Sequence, residues 1–124
     1  MRAAIAAVAL GAGCAAEPPQ RWEYVHAAIL VPNCTTSACH SALSHPREIE
    51  LHDRREAYRA LTGRDCDDTT TPPGGLVDVA SPEDSYLSIL LRREGATGMP
   101  PNARLPDREI ELIEAWMAGG AACD

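Results

Sequence analysis

Two cysteines and a histidine stand close together in the stretch CTTSACHS, which covers residues 34–41. Cys34 and Cys39 are separated by four residues, and His40 follows the second cysteine directly. Thiols and an imidazole in this order suit three kinds of chemistry: covalent haem attachment, a zinc site, or a disulfide beside an unrelated histidine. The spacing within this stretch leaves all three interpretations open.

Covalent haem attachment needs two thiols that join the vinyl groups of the porphyrin and an imidazole that reaches the iron from the same side. A histidine directly after the second cysteine lets one turn of chain supply all three groups, and the usual spacing has two residues between the cysteines. Here the four intervening residues are small, so the longer loop has room to bulge outward. Such a site needs a ligand on the opposite face, commonly a methionine. Met99, in the irregular stretch TGMPPN, is the candidate.

The two other interpretations use the same side chains differently. Zinc would take Cys34, Cys39, His40 and His45, although adjacent ligands at 39 and 40 are unusual in a closed tetrahedral site. A disulfide between the two cysteines would leave the histidine without a role, and such bridges are common in exported domains. The remaining histidines, His26, His45 and His52, are expected at the surface. His45 or His52 could also replace Met99 as the distal ligand.

The N-terminus has the anatomy of an export signal. Residues 1–13 contain one arginine, an apolar run and small residues, which predicts a cleaved signal too short to span a bilayer. The stretch LGAGC resembles a bacterial lipobox, so Cys14 is the predicted lipidation site and residues 14–21 a flexible tether. The alternative is cleavage near Cys14 that leaves a protein without a lipid.

Five cysteines are present, and two of them remain unassigned once Cys14 and the pair in CTTSACHS are set apart. These two are Cys66, in a loop, and Cys123, the penultimate residue. In an oxidising compartment two leftover thiols most simply form a disulfide, although pairing cannot be deduced from the sequence alone. We therefore expect a Cys66–Cys123 bridge.

The composition limits the possible functions. The formal net charge is −7, which disfavours binding to nucleic acid or to an anionic membrane surface. The chain has no phenylalanine, two tryptophans and three tyrosines, so its apolar core is thin and would benefit from covalent staples or a large buried apolar group. The sequence contains no activated nucleophile, phosphate loop or evident carboxylate pair. We therefore expect no enzymatic activity.

The hydrophobic periodicity predicts one mostly helical domain over residues 22–124, with long loops. A first helix starts at Arg21 and is expected to end at Pro32-Asn33. The other predicted elements are a helix capped by Asp53 and Gly63, a short extended piece over residues 76–80, a helix capped by Ser81, and a last helix over residues 107–118.

The order of these motifs resembles the small bacterial c-type cytochrome domains of the periplasmic or lipoprotein type. The motifs are Cys-x4-Cys-His, LHDRREAYRALTG, SPEDSYLSILL, GMPP and EIELIEAWMAGGA, and they extend over residues 22–122. The resemblance implies an all-α, cytochrome c-like fold around one covalent haem c. The departure from the family is the four-residue spacing between the cysteines.

The resemblance also implies a role for each matching residue. Cys34 and Cys39 would form the thioethers, with His40 as the proximal and Met99 as the distal iron ligand. Further walls of the haem pocket would be Leu30, Leu87, Leu90, Leu91, Ile113 and Trp116.

As a function, the resemblance implies one-electron transfer to a protein redox partner. The protein would lie in the periplasm or at the outer surface of a bacterium and touch the membrane only through its lipid anchor. Two alternatives remain at this point: a haem-based sensor or subunit in which Met99 dissociates, and a haem-free, disulfide-stapled interaction lipoprotein.

Overall fold

The computed structural model describes residues 16–124, and this part of the chain is helical and contains no β-strand. The all-α class is therefore confirmed. Helix α1 covers residues 22–34 in three contiguous pieces, Trp22–Tyr24, Val25–Leu30 and Val31–Cys34. The helices that follow are α2 (Arg54–Thr62), α3 (Tyr86–Arg92) and α4 (Asp107–Ala118). Single 3-10 turns occur at Pro46–Glu48, Pro82–Asp84 and Gly95–Thr97.

Residues 16–20, the described part of the predicted tether, are exposed and without regular structure. The predicted signal over residues 1–13 and the predicted lipidation of Cys14 lie outside the described residues. Within residues 16–124, no helix is both long and apolar enough to cross a bilayer.

Helix α1 continues past the point where proline was expected to end it. Its middle piece, Val25–Leu30, is a π-helix in which the backbone N–H of Val31 donates to the carbonyl of His26, five residues back. Proline lacks an N–H and crowds the carbonyl of the preceding turn in a regular α-helix. Because the π turn shifts these carbonyls out of the usual register, the helix passes through Pro32 and ends at Cys34.

Helix α2 forms as its end signals predict. The carboxylate of Asp53 accepts the backbone N–H groups of Arg55 and Glu56, and Gly63 ends the helix in the left-handed region at φ 69°. The loop that follows contains turns, so the extended piece predicted over residues 76–80 is wrong. Leu76 instead bridges two helices, since its N–H donates to Leu61 at 2.8 Å and its carbonyl accepts from Leu87 at 2.9 Å.

Helix α3 starts later than predicted. Ser81 makes no side-chain capping bond and only precedes the 3-10 turn Pro82–Asp84. Ser85 is the actual cap, because its hydroxyl accepts the N–H of Ser88. Both serines precede residues suited to a first helical turn. Because the 3-10 turn Pro82–Asp84 lies between them, the helix begins after the second serine, Ser85.

The core joins both ends of the described chain. Trp22, Tyr58 and Trp116 form an aromatic cluster in which the Trp22 and Trp116 ring centroids lie 5.0 Å apart. Helix α4 buries the predicted stripe of Ile110, Ile113 and Met117 against this cluster.

A disulfide joins Cys66 to Cys123, as predicted, with their Cα atoms 5.3 Å apart. It fixes the loop after α2 to the segment after α4. A small core thereby gains a covalent staple.

Candidate functional site

The CTTSACHS loop closes on itself at the end of α1. The N–H of His40 donates to the carbonyl of Cys34 at 2.9 Å, and the N–H of Cys39 donates to Thr36 at 2.8 Å. Thr35 and Asn33 bind carbonyls one turn earlier in α1, at 2.7 and 2.8 Å, which satisfies acceptors that a helix end leaves open. Both cysteines and the histidine are therefore placed by one helix end and one short loop.

His40 is held in a defined orientation. Its Nδ1 atom lies 2.7 Å from the carbonyl oxygen of Ile49. A carbonyl oxygen can only accept a hydrogen bond, so Nδ1 carries a proton, and in the neutral ring Nε2 carries the lone pair. Nε2 has no hydrogen-bond partner within residues 16–124. Iron-ligating histidines are typically oriented in this way, by a hydrogen bond from the second ring nitrogen.

Among the described residues, Cys34 and Cys39 carry free thiols, and both are half-buried. Burial, and secondarily the charge of Cys39, raises the pKa of the Cys34 thiol to about 12. The hydroxyl of Thr36 lies 3.0 Å from the sulfur of Cys39 and orients that side chain. The loop thus presents one half-buried thiol with a raised pKa and one that is positioned by a neighbouring hydroxyl.

The geometry does not favour zinc at this loop. Over residues 16–124, no three side chains of histidine, cysteine, aspartate or glutamate converge as ligands of a single ion. A closed zinc site needs four such groups at about 2.0–2.3 Å from one point. Haem attachment has no such requirement, because the thioether carbons and the iron are separate points on the porphyrin. The donor set of two thiols and one oriented imidazole therefore fits haem better than zinc.

Met99 lies in a second, separately built loop. Its backbone N–H donates to the carbonyl of Leu90 in α3 at 3.0 Å, and its side chain is 38% exposed. The preceding glycine is required, because a Cβ on Gly98 would lie only 2.0 Å from the carbonyl oxygen of Arg93. These contacts place Met99 beside α3. Its role as the distal ligand opposite His40 stays a prediction.

The six residues predicted as further pocket walls fall into two groups. Leu90 is half-buried. The other five are buried within the core: Leu30, Leu87, Leu91, Ile113 and Trp116. The contact of any of the six with a haem stays a prediction.

Apart from Met99, the large apolar side chains exposed on the described surface were not singled out from the sequence. They are Leu43 at 91%, Tyr86 at 54%, Ile89 at 43% and Met99 at 38% exposure. Tyr86 and Ile89 occupy one face of α3, three residues apart, and the backbone N–H of Met99 bonds to Leu90 of the same helix. Leu87 and Leu91 pack on the other side of the helix. The sequence signal was available, since apolar residues occur on more of α3 than one buried stripe can use.

His26 is the clearest error of the sequence interpretation. It was expected at the surface, but it is 6% exposed, and its Nε2 atom lies 3.0 Å from the carbonyl oxygen of Leu51. The other two histidines, His45 and His52, are exposed as predicted. A polar residue between buried Val25 and Ile29 on a helix was the available signal for a satisfied internal histidine.

A cavity of about 410 Å³ lies away from these side chains. It is lined by residues 73–79 and 84–86, none of which was predicted as a site residue. Its lining includes two acidic residues, Asp78 and Asp84. The oriented imidazole and the free thiols of the candidate site lie at the CTTSACHS loop and not in this cavity.

Comparison of the chain with protein-family models, with curated proteins and with solved structures found no match.

Proposed function

We propose that the protein is a monohaem c-type cytochrome that carries single electrons. The observation that carries the proposal is the hydrogen bond from His40 Nδ1 to the Ile49 carbonyl at 2.7 Å, beside two free thiols. It leaves the Nε2 lone pair directed away from the backbone and available to iron. Cys34 and Cys39 would hold haem c through thioethers, and Met99 would be the distal ligand, as the resemblance to c-type cytochromes implies.

The haem would supply a reversible one-electron couple. The chain's contribution is to hold the group, fix its axial imidazole and limit its exposure to water. If His40 and Met99 both held the iron, no coordination site would remain open for a substrate, and electron transfer rather than catalysis would be expected. The acidic net charge of −7 would favour a redox partner with a basic docking surface.

The exposed apolar side chains of α3 also support the proposal of a haem, which is a large apolar ligand. Tyr86 and Ile89 expose apolar surface to water on one face of α3, Met99 is also exposed, and exposed apolar patches commonly mark binding sites. The half-buried Leu90 holds the backbone of Met99 next to this face. We propose that these side chains cover the distal side of the haem, with the cytochrome c-like arrangement that the resemblance implies.

The decisive experiment is expression of the full chain with a c-type maturation system, followed by haem staining of a denaturing gel. Wild type should retain haem on the band. Cys34→Ala and Cys39→Ala should each lower the yield, and the double variant should lose covalent haem. Ser37→Ala, an exposed change within the same loop, is the matched control and should keep the wild-type yield. A wild-type band without haem would contradict the proposal and favour the haem-free interaction lipoprotein.

Met99 is tested by the optical spectrum and by carbon monoxide binding to the reduced protein. With both axial positions filled, wild type should bind the gas slowly and incompletely, whereas Met99→Ala should bind it fully. Loss of the thioether should also lower the reduction potential, because methionine ligation raises it. Rapid and complete binding by wild type would instead support the sensor alternative, in which Met99 is displaced.

A further inference from the structure

The segment Ile49–Leu51 is hydrogen-bonded by histidines on two sides. His40 donates from Nδ1 to the carbonyl of Ile49 at 2.7 Å, and the N–H of Leu51 donates back to the carbonyl of His40 at 2.9 Å. The carbonyl of Leu51 is in turn 3.0 Å from Nε2 of His26. Three hydrogen bonds thus connect the two histidines through this one backbone segment.

The His26 end of this connection is buried in the core. His26 belongs to the π piece of α1, and its ring lies 5.6 Å from that of Trp22, which is fully buried. The side chain of Leu51 is also buried, at 6% exposure. Burial lowers the pKa of His26, so the ring is neutral at pH 7 and its Nε2–H donates to the Leu51 carbonyl. The core therefore fixes one end of the segment.

The His40 end is less enclosed. His40 and Ile49 are both half-buried, and the chain between them includes exposed residues in a 3-10 turn, Pro46–Glu48. Arg47 and Glu48 in this turn have positive φ values of 58° and 64°. The position of the Ile49 carbonyl therefore depends on Leu51, which is the anchored residue of the segment. Since that carbonyl orients the His40 ring, the anchor at His26 bears on the orientation of the ring.

We propose that His26 is a positioning residue for the axial ligand. It fixes the plane and the hydrogen bond of the His40 imidazole through the segment Ile49–Leu51. This inference rests on the proposed function, because the imidazole is of consequence as a ligand of haem iron. His26 acts through the segment Ile49–Leu51, so its effect falls on the electronic properties and geometry of the His40 ring. Hydrogen bonds of this outer kind raise the basicity of a ligating imidazole and commonly change metal-site properties when they are lost.

The test compares haem-loaded variants by reduction potential and by the electron paramagnetic resonance spectrum of the ferric protein. His26→Leu removes the donor and should raise the potential, because a less basic imidazole stabilises the ferric state less. It should also shift and broaden the ferric g values, as the imidazole plane becomes less fixed. His26→Gln keeps an N–H donor on a side chain of similar reach and should return both readouts towards wild type.

Two further variants separate positioning from mere stability. Thr62→Val removes a buried hydroxyl that donates to the carbonyl of Tyr58 at 2.8 Å, outside the connection between the two histidines, and should leave both readouts unchanged. His26→Met is a second donor-free variant whose flexible side chain fills irregular buried space, so the test does not depend on His26→Leu folding. Donor-free variants with wild-type potential and g values would overturn the inference. Wild type without covalent haem would overturn the proposed function itself, which is scored first and separately on the stained gel.

Discussion

Two regions of the molecule differ in how far apart in sequence their hydrogen-bonded residues lie. One is the core, with the Cys66–Cys123 disulfide, and the other is the segment that contains Cys34, Cys39 and His40. In the core, the N–H of Trp22 donates to the carboxylate of Asp124, 102 positions away, and the hydroxyl of Tyr58 donates to Ala121, 63 positions away. In the other segment, His40 binds Ile49 nine positions away.

The difference separates a core that depends on contacts between distant residues from a loop that depends on local bonds. In the core, each of these hydrogen bonds joins residues from distant parts of the chain. After α1, the Cys39–Thr36 and His40–Cys34 backbone bonds close the four-residue spacing between the cysteines at the helix end. Closure between residues so near in sequence has a small entropic cost. Substitutions in the core and in the loop should therefore have separable effects.

The largest expected effect comes from removing the disulfide. The double variant Cys66→Ala and Cys123→Ala frees a loop of 57 residues in the unfolded chain, which should lower the free energy of unfolding by about 4 kcal/mol. Urea denaturation measures the loss. The yield of covalent haem, measured well below the unfolding midpoint, should stay at the wild-type level.

Reduction of the haem-loaded wild type with dithiothreitol serves as the chemical control. Thioethers resist this reagent, so it should reproduce the lower stability without releasing haem. A parallel fall in haem yield for the double variant would show that the loop depends on the disulfide-bonded core and does not respond independently of it.

Tyr58→Phe is the next in size. Its hydroxyl donates to the buried Ala121 at 2.9 Å and accepts from Nε of Arg64 at 2.8 Å. Removal leaves a buried carbonyl without its partner, so the free energy of unfolding should fall by about 1–3 kcal/mol. Tyr86→Phe removes a hydroxyl from a 54% exposed residue and should change it by less than about 0.5 kcal/mol. Equal losses for both tyrosines would be evidence against this account of the core.

Features that depend on neighbouring residues were predictable from the sequence. Asp53 and Gly63 bound α2 because capping involves groups within three or four residues, and the buried stripe of α4 follows from its period. The disulfide followed from counting thiols under the expectation of an oxidising compartment. The burial of His26 could not be predicted, because its partner carbonyl lies 25 positions away and becomes a neighbour only after folding. The passage of α1 through Pro32 likewise depends on a π turn that hydrophobic periodicity does not reveal.

Asp53→Ala should have a moderate effect at the boundary between the two regions. The carboxylate caps α2 through the N–H groups of Arg55 and Glu56, and loss of such a cap costs about 1 kcal/mol of the free energy of unfolding. Asp53→Asn keeps an oxygen acceptor and should restore most of it. The bond from the Glu56 N–H is the main cause that holds the pKa of Asp53 below its usual range. The capping contribution is therefore fully present above the unfolded value of 3.8 and is lost as the pH falls from there through the lower pKa of the folded state. Denaturation of wild type and Asp53→Ala at pH 6 and pH 3 measures how far the difference between the two proteins shrinks.

The smallest expected effect concerns His26, which links the two regions through Trp22 on one side and Leu51 on the other. Burial lowers the pKa of His26 from its ordinary value of 6.5, so at pH values between the two the unfolded chain binds a proton that the folded chain does not. Acidification through that window therefore favours unfolding, and the stability is fully present only above about pH 6.5. The difference in the free energy of unfolding between wild type and His26→Gln should shrink from pH 7.5 to pH 5.5. The other titrating groups are common to both proteins and cancel in this difference, so a difference that is constant with pH would mean that His26 titrates in the fold as it does in the unfolded chain.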